Sequence, residues 1–169
     1  MYHFLRNRAA GRMIMMAGTS VLALYGCRAR ENPMDDAQLR EFGARYAAAW
    51  SSQSAARLAA HYTEGGSLKV NQEAPALGRA AITAKAQGFM TAFPDMLVSM
   101  DEVRRDGDHV VFRWTWTGTN TGPGGTGRAV RISGYEEWTF DATGLILESK
   151  GHFDEREYQR QVGGGSDAG

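Results

Sequence analysis

Val110 to Phe140 reads VVFRWTWTGTNTGPGGTGRAVRISGYEEWTF, and this stretch decides the fold. At both of its ends bulky and polar side chains alternate with a period of two, the pattern of a pleated strand with one face buried. Between them lies Gly122-Pro123-Gly124-Gly125-Thr126-Gly127, a connection short enough to demand antiparallel neighbours. These glycines are not a phosphate cradle, because the run lacks a Gly-Lys-Ser/Thr ending and feeds a strand instead of a helix N-terminus. Outward from this hairpin the same period recurs at about Met96 to Arg104 and Leu145 to Phe153, joined through Asp106-Gly107 and Asp141-Ala142-Thr143-Gly144. The second half of the chain is therefore read as a four-stranded antiparallel meander.

Ahead of residue 96 the period becomes that of an α-helix. Asp35 or Asp36 is placed to cap a helix through about Ser51, with Leu39, Phe42, Tyr46 and Ala49 or Trp50 on one stripe. Ser54 caps a shorter helix to about Tyr62, Gly65-Gly66 breaks it, and a short strand is expected from Ser67 to Asn71. Gly78 opens a third helix, apolar at Ile82, Ala86, Phe89, Met90 and Phe93, which Pro94 stops. A last helical turn is expected from Glu155 to Val162, with a frayed tail beyond it. Helices followed by a meander, one face of which they must cover, make an α+β fold.

The chain has 169 residues, 43% hydrophobic and 22% charged, which suits one domain with a real core and excludes a disordered chain. Lys+Arg and Asp+Glu are equal at 19 each and no basic run occurs, so nucleic acid is not expected as a partner. His3, His61, His109 and His152 include no i, i+4 pair, and neither a metal nor another cofactor is expected. Cys27 is the single cysteine, which rules out an intramolecular disulfide. Upstream of it, Arg6, Arg8 and Arg12 precede an apolar run from Met13 to Leu24, too short to span a bilayer and shaped like the h-region of a secretory signal. Leu24-Tyr25-Gly26-Cys27 resembles a bacterial lipobox, which implies lipidation of Cys27 and cleavage ahead of it. Residues 1–26 are then a signal peptide, 27–34 a tether, 35–162 the domain and 163–169 a disordered tail. The protein is expected in the cell envelope, held to a membrane by its acyl chains. The alternative is translation from Met34 and a cytoplasmic protein.

Strand parity sorts the side chains into two faces. Val130, Ile132, Gly134, Glu136, Trp138 and Phe140 form an apolar, inward set in which Glu136 is the lone carboxylate, while Glu137 falls on the outer face. On the preceding strand Val110, Phe112, Trp114, Trp116, Gly118 and Asn120 share one parity, so two tryptophans line the inner wall. The last strand offers two candidate faces, one with Leu145, Leu147, Ser149, Gly151 and Phe153 and one with Ile146, Glu148, Lys150, His152 and Asp154. Tyr62, Tyr135 and Asn71 are further hydrogen-bonding candidates for a cavity.

Five blocks occur in order: Phe93-Pro94-Asp95-Met96, Arg113-Trp114-Thr115 with Gly118-Thr119-Asn120-Thr121-Gly122, Thr126-Gly127-Arg128, Ser133-Gly134-Tyr135-Glu136, and Gly144-Leu145-Ile146-Leu147-Glu148. Together with the element order they resemble the SnoaL-like polyketide cyclases of the nuclear transport factor 2-like superfamily, over about Asp36 to Gln161. The resemblance implies a cone-shaped fold, a curved antiparallel sheet packed on three helices, and by superfamily default a homodimer. It also implies a catalytic aspartate at Asp154, acting as general acid/base, and brings His152 and Asp154 to the inner face. Glu136 could then share a proton with Asp154, and His152 could orient or relay it. Otherwise Asp154 caps the last helix, His152 is a partly exposed strand residue, and Arg113 or Arg131 pairs with Glu136. Trp114, Trp116, Asn120 and Tyr62 are the candidates for contacting a small apolar molecule.

The chain departs from the cyclase pattern at Asn120, where many relatives have His, at Glu136, where several have Asp or His, and at Lys150, where Trp is usual. The cyclase substrate is therefore not carried over. Two functions follow: cofactor-free acid/base chemistry on a small apolar molecule (isomerase, cyclase, dehydratase or hydrolase type), or a non-catalytic, membrane-anchored module for ligand binding or dimerisation.

Overall fold

The structure, a computed structural model, describes residues 34–163. Cys27, the expected signal peptide, most of the tether and the tail from 164 lie outside them.

Helix α1 (Asp36–Ser51) begins with a capping box in which Asp35 Oδ1 accepts the Gln38 N–H and Gln38 Oε1 accepts the Asp35 N–H, both at 2.8 Å. Leu39, Phe42, Tyr46 and Ala49 form its buried stripe. After the short α2 (Ala55–Ala59) come strand β1 (Tyr62–Val70), the two-residue β2 (Ala76–Leu77) and α3 (Gly78–Ala92). Phe93 caps α3 at the residue before Pro94, where proline disfavours helical backbone. The meander follows as β3 (Leu97–Asp106), β4 (His109–Thr119), β5 (Ala129–Phe140) and β6 (Ile146–Phe153), and α4 (Glu155–Gly163) ends the described chain.

These strands form one six-stranded sheet in the order β2-β1-β6-β5-β4-β3. It is mixed, because β1 lies parallel to β6 while every other pair is antiparallel. The sequence suggested a shorter first strand and no β2. The Gly65-Gly66 pair, read as a helix breaker, sits inside β1 where the register with β6 shifts between Tyr62 and Ser67. Glycine within a strand commonly marks such an irregularity.

The helices cover one face of the sheet. There Phe112 and Trp138 stack at 4.5 Å and 17°, and Phe42 and Tyr46 of α1 meet Trp138 edge-on at 5.6 and 4.8 Å. On burial these rings supply large apolar areas and fix the angle at which α1 crosses the sheet. At the other end of the chain, Gln161 of α4 accepts the Arg131 N–H at 2.6 Å and donates to the Arg131 carbonyl at 3.0 Å. It thereby continues the ladder of β5 beyond Gly134, where pairing with β6 stops.

Candidate active site in the cone cavity

Glu136 lies in the middle of β5 with its side chain on the helix-covered face, 5% exposed. Three donors end on one of its oxygens: Ser149 Oγ at 2.5 Å, Trp138 Nε1 at 2.8 Å and Tyr46 Oη at 2.9 Å from Oε2. Tyr46 spends its single proton on this bond, so Tyr62 Oη, 2.7 Å away, donates to Tyr46. Four elements thus hold one carboxylate. Tyr46 comes from α1, Tyr62 from β1, Trp138 from β5 itself and Ser149 from β6.

Glu136 also lines a cavity of about 70 Å³, with aromatic walls from Trp50, Phe89, Trp114 and Trp116 and an aliphatic side that includes Leu68 and Val98. At roughly 30 Å³ for each water, that is room for about two waters. Trp114, Trp116 and Phe89 line this space instead of plugging it. Two glycines shape it. A Cβ on Gly134 would stand 2.4 Å from the His152 carbonyl oxygen and 2.6 and 2.7 Å from the six-membered ring of Trp114, so both approach β5 this closely because residue 134 is bare. Gly151 pairs with Glu136 across the ladder and leaves the space beside the carboxylate open.

Burial pushes the Glu136 carboxyl above its usual range, and the bonds from Ser149, Trp138 and Tyr46 hold it partly back. Burial, followed by the nearby Glu136 charge, raises both Tyr46 and Tyr62 well above the ordinary tyrosine value. Both phenols therefore stay protonated as donors. No described hydrogen bond ends on Oε1, and the residue faces a cavity. Oε1 is the oxygen on which Glu136 can carry a proton toward a bound molecule or remove one from it. Among the residues lining the cavity, Glu136 is the only ionisable one.

The other sequence candidates lie elsewhere. Asp154 is exposed, and its Oδ1 accepts the Glu157 N–H at 3.0 Å as the cap of α4. It borders an outer groove with Arg113, Tyr135 and His152, so no carboxylate pair forms with Glu136. His152 pairs with Tyr135, not Glu136, in the β5–β6 ladder, which sends it to the outer face. There it stacks on Tyr135 at 4.7 Å and 23° and bonds Glu137 Oε2 at 3.2 Å. Arg113 reaches Glu102 at 3.4 Å and overlies Tyr135, so it does not pair with Glu136.

Asn120 is buried but clamps the glycine-rich loop: its Oδ1 accepts the Thr126 N–H at 2.8 Å and its Nδ2 donates to the Ala92 carbonyl at 3.2 Å. Tyr62 stands behind Tyr46 and away from the cavity lining, in the position of a support. Trp114 and Trp116 do line the cavity.

Sequence reading missed Tyr46, Ser149 and Gly151 as site residues. Tyr46 could have been found, because a tyrosine on the buried stripe of a helix needs a partner for its hydroxyl. Ser149 and Gly151 belonged to one of the two faces left open for the last strand. The structure selects that face from Ser149 onward, yet buries Ile146 from the other one. A register shift accounts for both, since Thr139 pairs with Glu148 while Phe140 pairs with Ile146, leaving Leu147 as an extra residue.

No curated protein shows significant sequence similarity to the chain. Solved structures match its fold. A hypothetical protein with ketosteroid isomerase-like fold from Catenulispora acidiphila, in complex with trimethylamine, has a TM-score of 0.65 at 18% identity, over 73% of this chain and 92% of that one. A phenazine biosynthesis-related protein from Pseudomonas aeruginosa scores 0.61 at 15% identity, over 75% and 88%. SalBIII, described as an epoxide hydrolase/cyclase-like enzyme in pyran ring formation in the polyether salinomycin, scores 0.63 at 17% identity, over 73% and 95%. These likenesses establish the cone-shaped fold of the nuclear transport factor 2-like proteins. The sequence itself matches the SnoaL-like domain over residues 44–149, which is more than half of its length, and the chain belongs to the SnoaL-like family.

Proposed function

We propose that the protein catalyses a proton-transfer isomerisation of a small, largely apolar molecule, with Glu136 as both base and acid. The observation that carries this reading is the division of labour within one carboxylate. Three donors end on Oε2, and Oε1 is left to a cavity lined by no other ionisable side chain. A single group can take a proton from one carbon and return it to another, which completes an isomerisation without a second acid or base. Dehydration and hydrolysis ask for more, a leaving group to protonate or a water to activate. Its raised proton affinity makes the Glu136 carboxylate a stronger base than an exposed glutamate.

The step balances on the substrate and Glu136 alone. Oε1 removes a proton from carbon, and the C–H electron pair moves into a conjugated system ending on an electronegative atom. The same proton then returns to a distant carbon as the electrons flow back. Ser149, Trp138 and Tyr46 keep the carboxylate in one orientation throughout, so little reorganisation is needed at the moment of transfer.

A test is the conversion of 3-cyclohexen-1-one into its conjugated 2-isomer, followed by ultraviolet absorbance. We expect acceleration over buffer by the wild type and a loss of roughly 10²- to 10⁴-fold in Glu136→Gln, the usual contribution of a general acid/base. An equal rate in the variant sinks the catalytic reading. The second reading is binding without turnover, favoured by the hydrogen bonds that already satisfy Oε2. It predicts probe uptake with no acceleration in either protein.

A further inference from the structure

Half of the residues lining the cavity are aromatic, and their rings stand across one another instead of stacking. Trp50 meets Phe89 at 81° and Phe89 meets Trp116 at 87°, with centroids 6.1 and 6.2 Å apart, and Trp114 meets Phe153 at 62° and 6.3 Å. One charge-bearing group faces this box. Glu136 is 5% exposed, its Oε2 takes three donors, and its Oε1 meets none among the described residues. No Lys, Arg or His lines the cavity to balance it. A carboxylate buried without a counter-charge is costly, which is why buried charges in proteins are paired. The neighbouring indoles do not relieve it, because Nε1 of Trp114 and of Trp116 is itself enclosed and offers the cavity no N–H.

We infer that the cavity binds a methylated ammonium group, tertiary or quaternary, seated among the aromatic rings and facing Glu136 Oε1. This goes beyond the proton-transfer reading, since such a cation is held whether or not Glu136 turns a substrate over. Aromatic faces attract a cation through their quadrupole, most strongly where water is excluded, and the methyl groups are buried as apolar surface. An unmethylated ammonium brings up to four N–H donors, whereas no lining side chain other than Glu136 carries an oxygen. The surplus donors would stay unpaired. A neutral molecule leaves the carboxylate without a counter-charge, and an anion adds a second negative charge beside it. At about 70 Å³ the cavity takes one compact group. Trp50, Phe89, Trp114 and Phe153 on its lining are half-buried, so the rest of a ligand projects past them.

Glu136 is the group whose ionisation governs this binding. Tyr46 of α1 and Tyr62 of β1, the titratable groups packed behind it, stay protonated, and His152 of β6 acts on it only through charge from the outer face. Proton and cation compete for the carboxylate, so affinity for the cation falls as pH is lowered through the folded Glu136 midpoint.

The experiment is calorimetry with three probes at pH 8: choline, 3,3-dimethyl-1-butanol, which has the same shape without the charge, and ammonium, which has the charge without the methyl groups. We expect choline to bind roughly tenfold or more tightly than either, and its N-methyl proton resonance to move upfield over the ring faces. Lowering the pH through the Glu136 midpoint should weaken choline by about tenfold per unit, and Glu136→Gln should remove that dependence. Trp50→Leu and Trp116→Leu should each lower the ratio of choline to alcohol affinity by roughly twofold to thirtyfold, the range of one cation–π contact. That ratio cancels any packing defect the substitution introduces. Failure of choline to bind, a wild-type ratio near one, a ratio unchanged in both tryptophan variants, or a pH dependence that survives in Glu136→Gln overturns the inference. Choline binding as expected without isomerisation of the enone removes the proton-transfer reading and leaves the cation site standing. Isomerisation without choline binding removes the cation site alone.

Discussion

A carboxyl group within an apolar wall can lower its cost by keeping a proton or by recruiting donors, and Glu136 does some of each. Its pKa is raised in the folded protein, so the folded state holds the proton more tightly than the unfolded chain. The sign follows from linkage. Stability from this group is fully present below the usual glutamate value of about 4.3, and it is lost as pH rises from there through the folded pKa. Glu136→Gln removes the ionisation and keeps an acceptor for Ser149, Trp138 and Tyr46. The variant should therefore gain stability relative to wild type as pH rises through that window, by about 1.4 kcal/mol for each unit by which the carboxyl is elevated. Urea unfolding of both proteins from pH 4 to 8 measures it, and parallel stability profiles would show that Glu136 pays no penalty for its charge.

At the scale of elements, the meeting of β5 with β6 sets the shape of the site. Gly151 faces Glu136 in that ladder, and a Cβ there would stand 3.5 Å from the Lys69 carbonyl and 3.6 Å from Glu136 Cγ, ordinary contact distances. Gly151→Ala should fold normally. Gly151→Val places further methyl groups beside the carboxylate, and we expect a folded protein that takes up cyclohexanone at least tenfold more weakly, read by tryptophan fluorescence. Unchanged uptake would mean that the cavity beside Glu136 is not where probes bind. The inward face of β5 was legible in the sequence because its alternation is unbroken from Val130 to Phe140. β6 was not, because the extra residue at Leu147 changes which parity faces inward and no single alternating set describes the strand. Resemblance then drew Asp154 and His152 inward, whereas the ladder turns His152 outward and the start of α4 takes Asp154 as its cap. Asn120 has inward parity too, but it stands just past the end of β4, where its amide serves the following loop.

Across the described residues, the candidate site lies toward one end of the sheet. Phe42, Phe112, Trp138 and Phe140 fill the space beneath α1 with mutually packed rings, and the cavity opens beyond Glu136, among Trp50, Phe89 and Trp116. Met34, where the described chain begins, lies near Gly144 in the turn before β6, and Arg105 at the end of β3 binds its carbonyl. The cavity uses the opposite ends of these same strands, at Val98 on β3 and at Gly151 and Phe153 on β6. Chain entry and cavity are thus separated by the length of the sheet. The central claim is that Glu136 is a buried carboxyl whose pKa is raised by burial and whose Oε1 is left free of the described hydrogen bonds. Its most direct test is a ¹³C NMR titration of the Glu136 side-chain carboxyl, assigned by its disappearance in Glu136→Gln. A midpoint clearly above the usual glutamate value of about 4.3 is the predicted result, and a midpoint at or below that value contradicts the account.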